Sequence, residues 1–418
     1  MSYEPKYLLL VDNDNNGKQS NKYYRMIPNG DTFLVEYGRV GANPQKRTYP
    51  LSQWNKKYSE KINKGYKDAS DLYQDVFTEE LNNNTDSTYK EIENKIIRDI
   101  INRLQELANN TVNKNYKVSS NKVTQAMVDK AQELLDSLVT FNGTVEEFNK
   151  QLLNLFTVIP RKMKDVNNHL VSNQEEFAKK ITEENDILTT MRSQVYVKNV
   201  SKDENKNNEP IHNITILDAL GLQMEEATEE DIKIIKSKMG SNSDKFVKAY
   251  VVKHVRSDKS FTEYCHNKNI KHTELFWHGS RSCNWFSILS QSLKIRPSGV
   301  ATNGALFGAD GIYFANNIMK SRNYCGMRGS YWVSGNNDTG FVALFETAYG
   351  TNPYDVYSFS NEYYNMNEKR LNERKQDATC LHAHAGTKLT GSWSELKNDE
   401  IIFYNENAVT IRYLVEIR

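Results

Sequence analysis

The chain has 418 residues and a net charge of +1, and 38% of its residues are hydrophobic and 11% aromatic. This length predicts two to four domains with real cores, and the near-neutral charge excludes a protein that is basic throughout. Because the sequence has neither an N-terminal apolar run nor an apolar stretch of about 18 residues, we expect an intracellular protein that is neither secreted nor membrane-spanning.

The first 80 residues are typical of a small β-rich module. Strands are predicted at 7–11, 22–27 and 32–41, and a helix at 51–61. The pair Asn29-Gly30 favours a hairpin turn between the second and third strands. Residues 1–70 contain 12 Lys and Arg against 7 Asp and Glu, which is a net charge of +5. Positive charge therefore concentrates here on an almost neutral chain, which favours a phosphate-binding function.

The segment Tyr37-Gly38-Arg39-Val40-Gly41 resembles the WGR domain, which accompanies DNA-dependent poly(ADP-ribose) polymerases and grips the ends of DNA breaks. Tyr37 stands where the family has Trp, and it keeps a flat ring for stacking. Arg39 is the strongest candidate, because a guanidinium binds phosphate through two hydrogen bonds. The resemblance implies DNA contacts by Tyr37, Gly38, Arg39, Trp54, Lys56 and Lys57. The alternative is a solvated basic face on a protein-interaction module.

Residues 86–197 repeat hydrophobic residues at spacings of three and four, which predicts a bundle of amphipathic helices. Thr144 and Glu147 have the spacing of a capping box at a helix N-terminus, and Pro160 ends that helix. A further helix is predicted to begin near Glu175. Residues 198–210 are rich in Lys, Asn and Asp, and they are predicted to form a flexible linker.

Three short segments in the C-terminal half carry an imidazole, a phenol and a carboxylate on predicted strands. They are Trp277–Arg281, Gly311–Ala315 and the segment that contains Glu400. These residue types suit cleavage of the bond between nicotinamide and ribose in NAD⁺, which breaks through an oxocarbenium-like transition state. The carboxylate of Glu400 supplies a negative charge near the ribose. Tyr313 and Tyr324 can enclose a flat ring between them.

In this order, the segments resemble the catalytic domain of poly(ADP-ribose) polymerases, the diphtheria-toxin-like ADP-ribosyltransferases with a His-Tyr-Glu signature. The matching runs are 275–281 with 288–295, 307–315 with one extra residue before Gly311, and 320–325. The resemblance implies that His278, Tyr313 and Glu400 are catalytic. It also implies NAD⁺ contacts by His278, Gly279, Ser280, Tyr313, Phe314, Ala315, Lys320, Ser321 and Tyr324. Among these, the two tyrosines would stack on nicotinamide, and Ser280 would lie along the adenosine side.

Glu at the third signature position implies a polymerase, because one carboxylate can orient the ribose of NAD⁺ and also activate an incoming ribose hydroxyl. Relatives with an aliphatic residue there resemble mono-transferases. The chain departs from the best-known members at Ala305 and Leu306, next to the acceptor side, and from many members at Lys294. A mono-ADP-ribosyltransferase and an inactive DNA-binding scaffold stay open as alternatives, although a scaffold should have lost at least one signature residue.

The chain is thus expected to be an α+β multidomain protein. Its expected parts are a small β-rich WGR module at 1–80, an all-α helical bundle at 86–197 that resembles the family's autoinhibitory regulatory domain, and a mixed antiparallel β-sheet ADP-ribosyltransferase domain at 209–418. NAD⁺ is the expected substrate. The expected partners are DNA strand breaks, as nicks or ends, and acceptor proteins that include the enzyme itself. The expected location is the nucleus of a eukaryote or the cytoplasm of a bacterium.

No metal is expected from the sequence. The four cysteines are scattered, and no Cys-x-x-Cys motif occurs. The only metal-like cluster is Cys380-Leu381-His382-Ala383-His384, which lacks the second pair of ligands of a structural zinc site. Reduced thiols in an intracellular protein are the simpler interpretation.

Overall fold

The structure of the protein is a computed structural model. It describes residues 3–13, 19–40, 42–73, 89–118, 120–206, 214–295, 306–308, 310–331, 333, 335–389 and 395–418. The chain forms two compact units, one of residues 1–86 with 109–198 and the other of residues 87–108 with 199–418. The three domain boundaries expected from the sequence stay a prediction.

A five-stranded antiparallel sheet begins the first unit. Its strands are β1 (Lys6–Asn13), β2 (Gln19–Asn29), β3 (Thr32–Arg39), β4 (Gln45–Pro50) and β5 (Lys67–Asp68), in the spatial order β4-β3-β2-β1-β5. Phe33 and Val35 of β3 pack with Trp54 of helix α1 (Trp54–Ile62). The three predicted strands and the helix are confirmed. Strand β4 was missed, because its side chains are almost all exposed and show no hydrophobic alternation.

Long helices fill the middle of the chain. They are α2 (Lys95–Asn115), α3 (Gln125–Val139), α4 (Val145–Val158) and α5 (Phe177–Lys206). The capping box of α4 is confirmed, since the Glu147 amide donates to Thr144 Oγ1 and the Thr144 amide donates to the Glu147 carboxylate. The rings of Phe148 and Phe177 stack at 3.8 Å and join α4 to α5. The predicted amphipathic helices therefore pack through their apolar faces.

The linker predicted at 198–210 is wrong over residues 198–206, because helix α5 continues to Lys206. Residues 207–210 lie outside the described residues. The stretch from 198 to 206 contains neither Gly nor Pro, and several of its residues are good helix formers. A polar composition carries no signal that would end a helix.

The second unit contains two sheets. The first has the order β6-β7-β14-β10-β8 and is antiparallel, and the second has the order β11-β12-β13-β9, in which β11 and β12 run parallel. The strands are β6 (Leu222–Glu226), β7 (Phe246–His254), β8 (Glu274–Gly279), β9 (Ile312–Phe314), β10 (Gly340–Thr347), β11 (Tyr354–Ser358), β12 (Leu381–Lys388), β13 (Glu400–Phe403) and β14 (Val409–Ile417). Strand β10 is nearly all buried and lies between β14 and β8.

Short helices cover the sheets of the second unit. They are α6 (Ile216–Leu220), α7 (Glu229–Met239), α8 (Val255–Asn267), α9 (Trp285–Gln291), α10 (Ile318–Arg322) and α11 (Glu368–Arg374). The two sheets meet where the Trp277 amide donates to the Ala315 carbonyl at 2.8 Å and the Ala315 amide donates back at 2.9 Å. The chain is an α+β multidomain protein, as the sequence predicted. Among the described residues, no helix is long and apolar enough to cross a membrane.

Candidate active site

The three signature side chains come from three different strands of the second unit. His278 lies near the end of β8, Tyr313 is the middle residue of β9, and Glu400 opens β13. Strands β9 and β13 are hydrogen-bonded, with Tyr313 opposite Ile402. The backbone bridge between Trp277 and Ala315 brings β8 against the end of β9. The fold therefore brings together residues that are separated by up to 122 positions in the sequence.

His278 is held in one orientation. Its Nδ1 lies 2.9 Å from the carbonyl oxygen of Tyr313, and that contact requires a proton on Nδ1. Burial lowers the pKa of His278, and the hydrogen bond to Tyr313 offsets this only in part. The ring is therefore neutral at pH 7, and Nε2 carries a lone pair. An imidazole in this state accepts a hydrogen bond from a hydroxyl group, such as that of a ribose.

The hydroxyl of Tyr313 is already occupied. It donates to the carbonyl oxygen of Gly308 at 2.8 Å and accepts from the amide of Phe307 at 3.1 Å. Burial and the nearby charge of Glu400 raise the pKa of Tyr313 well above its usual value. The phenol is thus a fixed neutral group, and its ring face is the part that can contact a flat ligand.

Glu400 has two carboxylate oxygens in different states. Oε1 contacts the ammonium group of Lys320 on α10, and the side chains of both residues are largely buried. Oε2 is buried and has no hydrogen-bond partner within the described part of the chain. Burial lowers the pKa of Lys320, and Glu400 partly restores it. One carboxylate oxygen of Glu400 is therefore paired with a cation, and the other can accept a hydrogen bond from a hydroxyl group.

Tyr324 and Ser321 follow Lys320 on and just after α10. Burial and the charge of Glu400 raise the pKa of Tyr324, so its phenol is neutral as well. Ser321 is buried, and its carbonyl oxygen would lie 1.9 Å from a Cβ placed on Gly279. Any other residue at position 279 would push α10 away from β8. Gly279 therefore allows the close approach of Ser321 to the end of β8, next to His278.

The remaining residues expected to contact NAD⁺ lie around this centre. Ser280 follows β8, and its hydroxyl accepts from Asn284 Nδ2 at 3.1 Å. Phe314 is 2% exposed and packs against Phe345 and Phe403, so its side chain belongs to the core. Ala315 contributes the backbone bridge described above. Their roles toward NAD⁺ stay predictions.

Two asparagines that the sequence interpretation missed bind residues just before Glu400. Asn316 donates to Asp399 at 2.8 Å, and Asn317 donates to Asn398 at 3.0 Å. Asn317 also caps helix α10, since its side chain accepts from the amide of Met319. The segment that precedes Lys320 is thus fastened to the segment that precedes Glu400. The partners are about 80 residues apart, so the sequence offered no local signal for these contacts.

The sequence departs from the family pattern at three positions, and the structure describes two of them. Ala305 lies outside the described residues, and Leu306 is partly buried against the core of the second sheet. Lys294 pairs with Glu406 at 2.7 Å. Lys294 thus has a structural partner at its position.

The residues expected to bind DNA lie in the first unit, with one correction. Trp54 is 4% exposed and packs against Phe33 and Tyr3 in the core, so it is wrong as a DNA contact. Aromatic residues near a basic helix can serve either purpose, and the sequence does not tell which side of the helix faces the sheet. Arg39 and Lys56 are exposed.

Further basic side chains surround Tyr37. The guanidinium of Arg47 lies 5.9 Å and the ammonium of Lys61 6.0 Å from the centre of its ring. Gly38 and Arg39 pair with β2 and continue the strand beyond Tyr37. Lys57 is partly covered and pairs with Glu60 at 3.1 Å. The sequence interpretation did not identify Lys61 and Arg47. Arg47 comes from the unpredicted strand β4, and the sequence of the predicted helix does not show that Lys61 approaches Tyr37.

The first part of helix α2 belongs to the same compact unit as the candidate site. Arg103 contacts Glu416 at 2.7 Å and donates to Thr339 at 3.3 Å. Its guanidinium also lies 5.1 Å from the centre of the Phe341 ring. Helix α2 is therefore anchored on strands β10 and β14, which carry no signature residue themselves.

Two family models match the chain. Residues 229–418 match the poly(ADP-ribose) polymerase catalytic domain, and residues 7–72 match the WGR domain. The first match contains all three signature residues. The second contains Tyr37 and Arg39.

Several curated proteins are similar to the chain. Protein 101L of Invertebrate iridescent virus 6, described as uncharacterized, is 33% identical over 57% of this chain and 95% of its own length. The putative poly [ADP-ribose] polymerase-like protein 100L of the same virus is 31% identical over 46% of this chain and 96% of its own length. Human poly [ADP-ribose] polymerase 2 is 33% identical over 38% of this chain. The aligned part spans only 28% of that human protein.

Proposed function

Because the chain belongs to the poly(ADP-ribose) polymerase family and is an NAD⁺ ADP-ribosyltransferase, we propose that it is a polymerase activated by DNA strand breaks. It would transfer ADP-ribose from NAD⁺ to proteins, itself included, extend the chains and release nicotinamide. The observation that carries this proposal is the buried Oε2 of Glu400, which has no partner among the described residues. A buried acceptor of this kind is costly unless a ligand satisfies it.

Substrate binding follows from the groups around Glu400. The rings of Tyr313 and Tyr324 would enclose nicotinamide, with its carboxamide toward Gly279 and Ser321. Nε2 of His278 is the free acceptor for a ribose hydroxyl, since Nδ1 donates to Tyr313. The site thus has fixed groups for both the flat ring and the sugar of NAD⁺, which favours a single bound orientation.

Bond cleavage would take place at C1′ of the ribose that carries nicotinamide. Nicotinamide leaves with the electron pair of the broken bond, and positive charge develops on the sugar. Glu400 would accept a hydrogen bond from a ribose hydroxyl at Oε2 and stabilise that charge more strongly in the transition state than in the bound substrate. Lys320 holds Oε1 and so fixes the carboxylate.

Chain extension needs a second role for the same carboxylate. An acceptor oxygen forms the new bond to C1′, and its proton must be removed as the bond forms. Where the acceptor is a ribose hydroxyl of a previous unit, Glu400 would take that proton as a general base. A Glu at this position therefore supports a polymerase over a mono-transferase.

Activation by DNA is supported by contacts inside the first unit. The β-sheet module is hydrogen-bonded to the helical segment, since Asn21 donates to the Arg161 carbonyl at 3.2 Å and Thr124 donates to the Leu72 carbonyl at 3.1 Å. DNA bound near Arg39 would bias the position of these helices. It would activate only by favouring an open state that the chain already visits.

One experiment tests the proposal and separates its alternatives. The purified chain is incubated with NAD⁺, with and without nicked DNA, and the products are separated on a denaturing gel. A ladder or smear that depends on nicked DNA is expected. A single added unit would make the chain a mono-transferase, and the absence of any product would favour a DNA-binding scaffold.

A further inference from the structure

A cluster of two histidines and two aspartates lies in and beside the second sheet. Asp399, which also accepts from Asn316, is the one member described above. His382 and His384 point to the same side of strand β12, because alternate residues of a strand share a face. The parallel neighbour β11 places Asp355 directly beside His382. Cys380 of the same sequence segment is fully buried and is not part of the cluster. The third group comes from a strand about 30 residues away, which explains why the sequence predicted no complete ligand set.

The geometry of these three side chains is compact. His384 Nε2 lies 2.7 Å from Asp355 Oδ1, and the rings of His382 and His384 stack at 4.0 Å. One ligand atom from each of the three residues lies within 4.8 Å of the others. Zinc is bound by nitrogen and oxygen at about 2.0–2.2 Å. A small rotation of the partly exposed His384 and Asp355 side chains would therefore close the set around one ion.

His382 is oriented by partners on both ring nitrogens. The Tyr349 hydroxyl lies 2.8 Å from Nδ1, and Asp399 Oδ2 lies 3.1 Å from Nε2. A metal bound at one ring nitrogen would replace the partner now on that nitrogen. The other nitrogen would stay held by a hydroxyl or a carboxylate, as is usual for histidine ligands. Asp399 is fixed in turn by the Ala385 amide at 2.8 Å. His384 is also restrained, since the Tyr357 ring stacks on it at 4.5 Å and 4°.

We propose that Asp355, His382 and His384 form a binding site for one divalent transition metal, with zinc the best match and water in the remaining position. Two imidazoles with one carboxylate are a donor set that zinc accepts in tetrahedral geometry. Calcium and magnesium prefer sites made of oxygen alone. The two nearby carboxylates, those of Asp355 and Asp399, offset the charge of the ion.

The site would stabilise the sheet and take no part in the transfer reaction. Ala383 lies opposite Glu400 in the ladder between β12 and β13, so Ala383 and Glu400 share one face of the sheet. His382 and His384 lie on the other face. A metal there would fasten β11 to β12 on the side away from the carboxylate. The inference therefore stands independently of the proposed function.

The test uses the full chain after removal of metal with a chelating resin. Zinc is titrated in by calorimetry, and cobalt is used as a probe whose absorption reports its ligands. One equivalent of tight binding is expected, together with a rise in melting temperature on addition of zinc. His384→Ala and Asp355→Asn, at partly exposed positions, should each weaken binding at least about tenfold and remove the rise. His266→Ala, at an exposed histidine of the same unit, is the matched control and should behave as the parent chain.

Three results would overturn the proposal. They are the absence of stoichiometric binding by the parent chain, equal binding by His384→Ala, Asp355→Asn and the parent, and a cobalt spectrum with the charge-transfer band of a thiolate ligand. The last would move the site to a cysteine. Variants that keep the melting temperature of the metal-free parent chain are folded, so their loss of binding is attributable to the lost ligand.

Discussion

Lys320 and Glu400, 80 residues apart in sequence, form an ion pair between two largely buried side chains. The pair uses only one oxygen of the carboxylate and leaves Oε2 without a partner in the described part of the molecule. Burying two charges costs free energy, and their attraction repays that cost only when the geometry is good. The arrangement is therefore expected of a reactive site, where a bound sugar hydroxyl would complete the coordination of the carboxylate.

The first prediction concerns the charge of Glu400. Glu400→Gln keeps the shape of the side chain but removes its charge. That charge stabilises the transition state more strongly than the bound substrate. We expect turnover to fall about 10²–10³-fold while the affinity for NAD⁺ changes little. Chain extension should suffer more than the first transfer, because it also needs a general base. Initial rates, NAD⁺ binding and product length would be measured, with the exposed Glu395→Gln as the control. Long chains made at nearly the parent rate would refute the assigned mechanism.

The second prediction concerns the pair itself. Lys320→Ala leaves the buried carboxylate of Glu400 without its cation, and breaking a buried pair from one side costs about 3–5 kcal/mol. We expect a lower free energy of unfolding in urea and slower turnover. The double variant with Glu400→Gln should lose less stability than the sum of the two single variants, because the unpaired charge is then absent. Additive losses would show that the two side chains do not interact.

The third prediction is a pH dependence that arises from His278. Burial lowers its pKa from the ordinary 6.5, so the unfolded chain takes up a proton at a higher pH than the folded chain does. Stability should therefore fall as the pH drops below 6.5 toward the lowered pKa. Protonation of Nε2 also removes the acceptor for the ribose. We expect kcat/KM for NAD⁺ to decline below pH 6.5, and His278→Gln to be less active and to lack this decline. A decline centred above pH 6.5 would assign it to another group.

The position of much of the candidate site followed from local sequence patterns, because the residues proposed to react lie in short segments around His278, Tyr313 and Glu400. The strands that hold them were predicted from hydrophobic runs. The partners of these residues were less visible. Asn316 and Asn317 reach the segment before Glu400 from about 80 residues away, and no local pattern reports such a contact. Sequence motifs predicted which residues react, and contacts between distant segments determine what orients them.

The errors of the sequence interpretation also arise from contacts between segments that are distant in the sequence. The resemblance to the WGR domain placed Trp54 among the DNA contacts, whereas packing against Phe33 places its side chain in the core. Strand β4 has exposed side chains and is held by its backbone bonds to β3. Composition and periodicity describe one segment at a time. They do not report which side of a helix packs against a sheet, or which polar segment pairs with a sheet as its edge strand.

The fourth prediction concerns regulation by the helical segment. If helix α2 restrains the enzyme through Arg103, Arg103→Ala should raise activity without DNA and reduce the factor by which nicked DNA stimulates it. A chain that starts near residue 209 should be active without DNA. Lys95→Ala, an exposed change on the same helix, is the control. Initial rates with and without nicked DNA would be compared. Equal basal rates in the parent chain, Arg103→Ala and the shortened chain would mean that the helices are only structural.

The fifth prediction concerns DNA binding by the first unit. Arg39 is exposed at the end of β3, and Tyr37, Arg47 and Lys61 lie nearby on the same module. A phosphate contact releases counterions, so the logarithm of affinity should fall linearly with the logarithm of salt concentration. Arg39→Ala should weaken binding to nicked DNA, reduce that slope by about 1, and lower DNA stimulation while basal transfer persists.

Lys130→Ala removes an exposed charge from a helix of the same unit and should leave both DNA binding and DNA stimulation unchanged. Binding by fluorescence anisotropy at several salt concentrations, alongside the transfer assay, measures both effects. Parent-like binding and stimulation of Arg39→Ala would exclude Arg39 as the phosphate contact and would leave the basic face as a surface for protein partners.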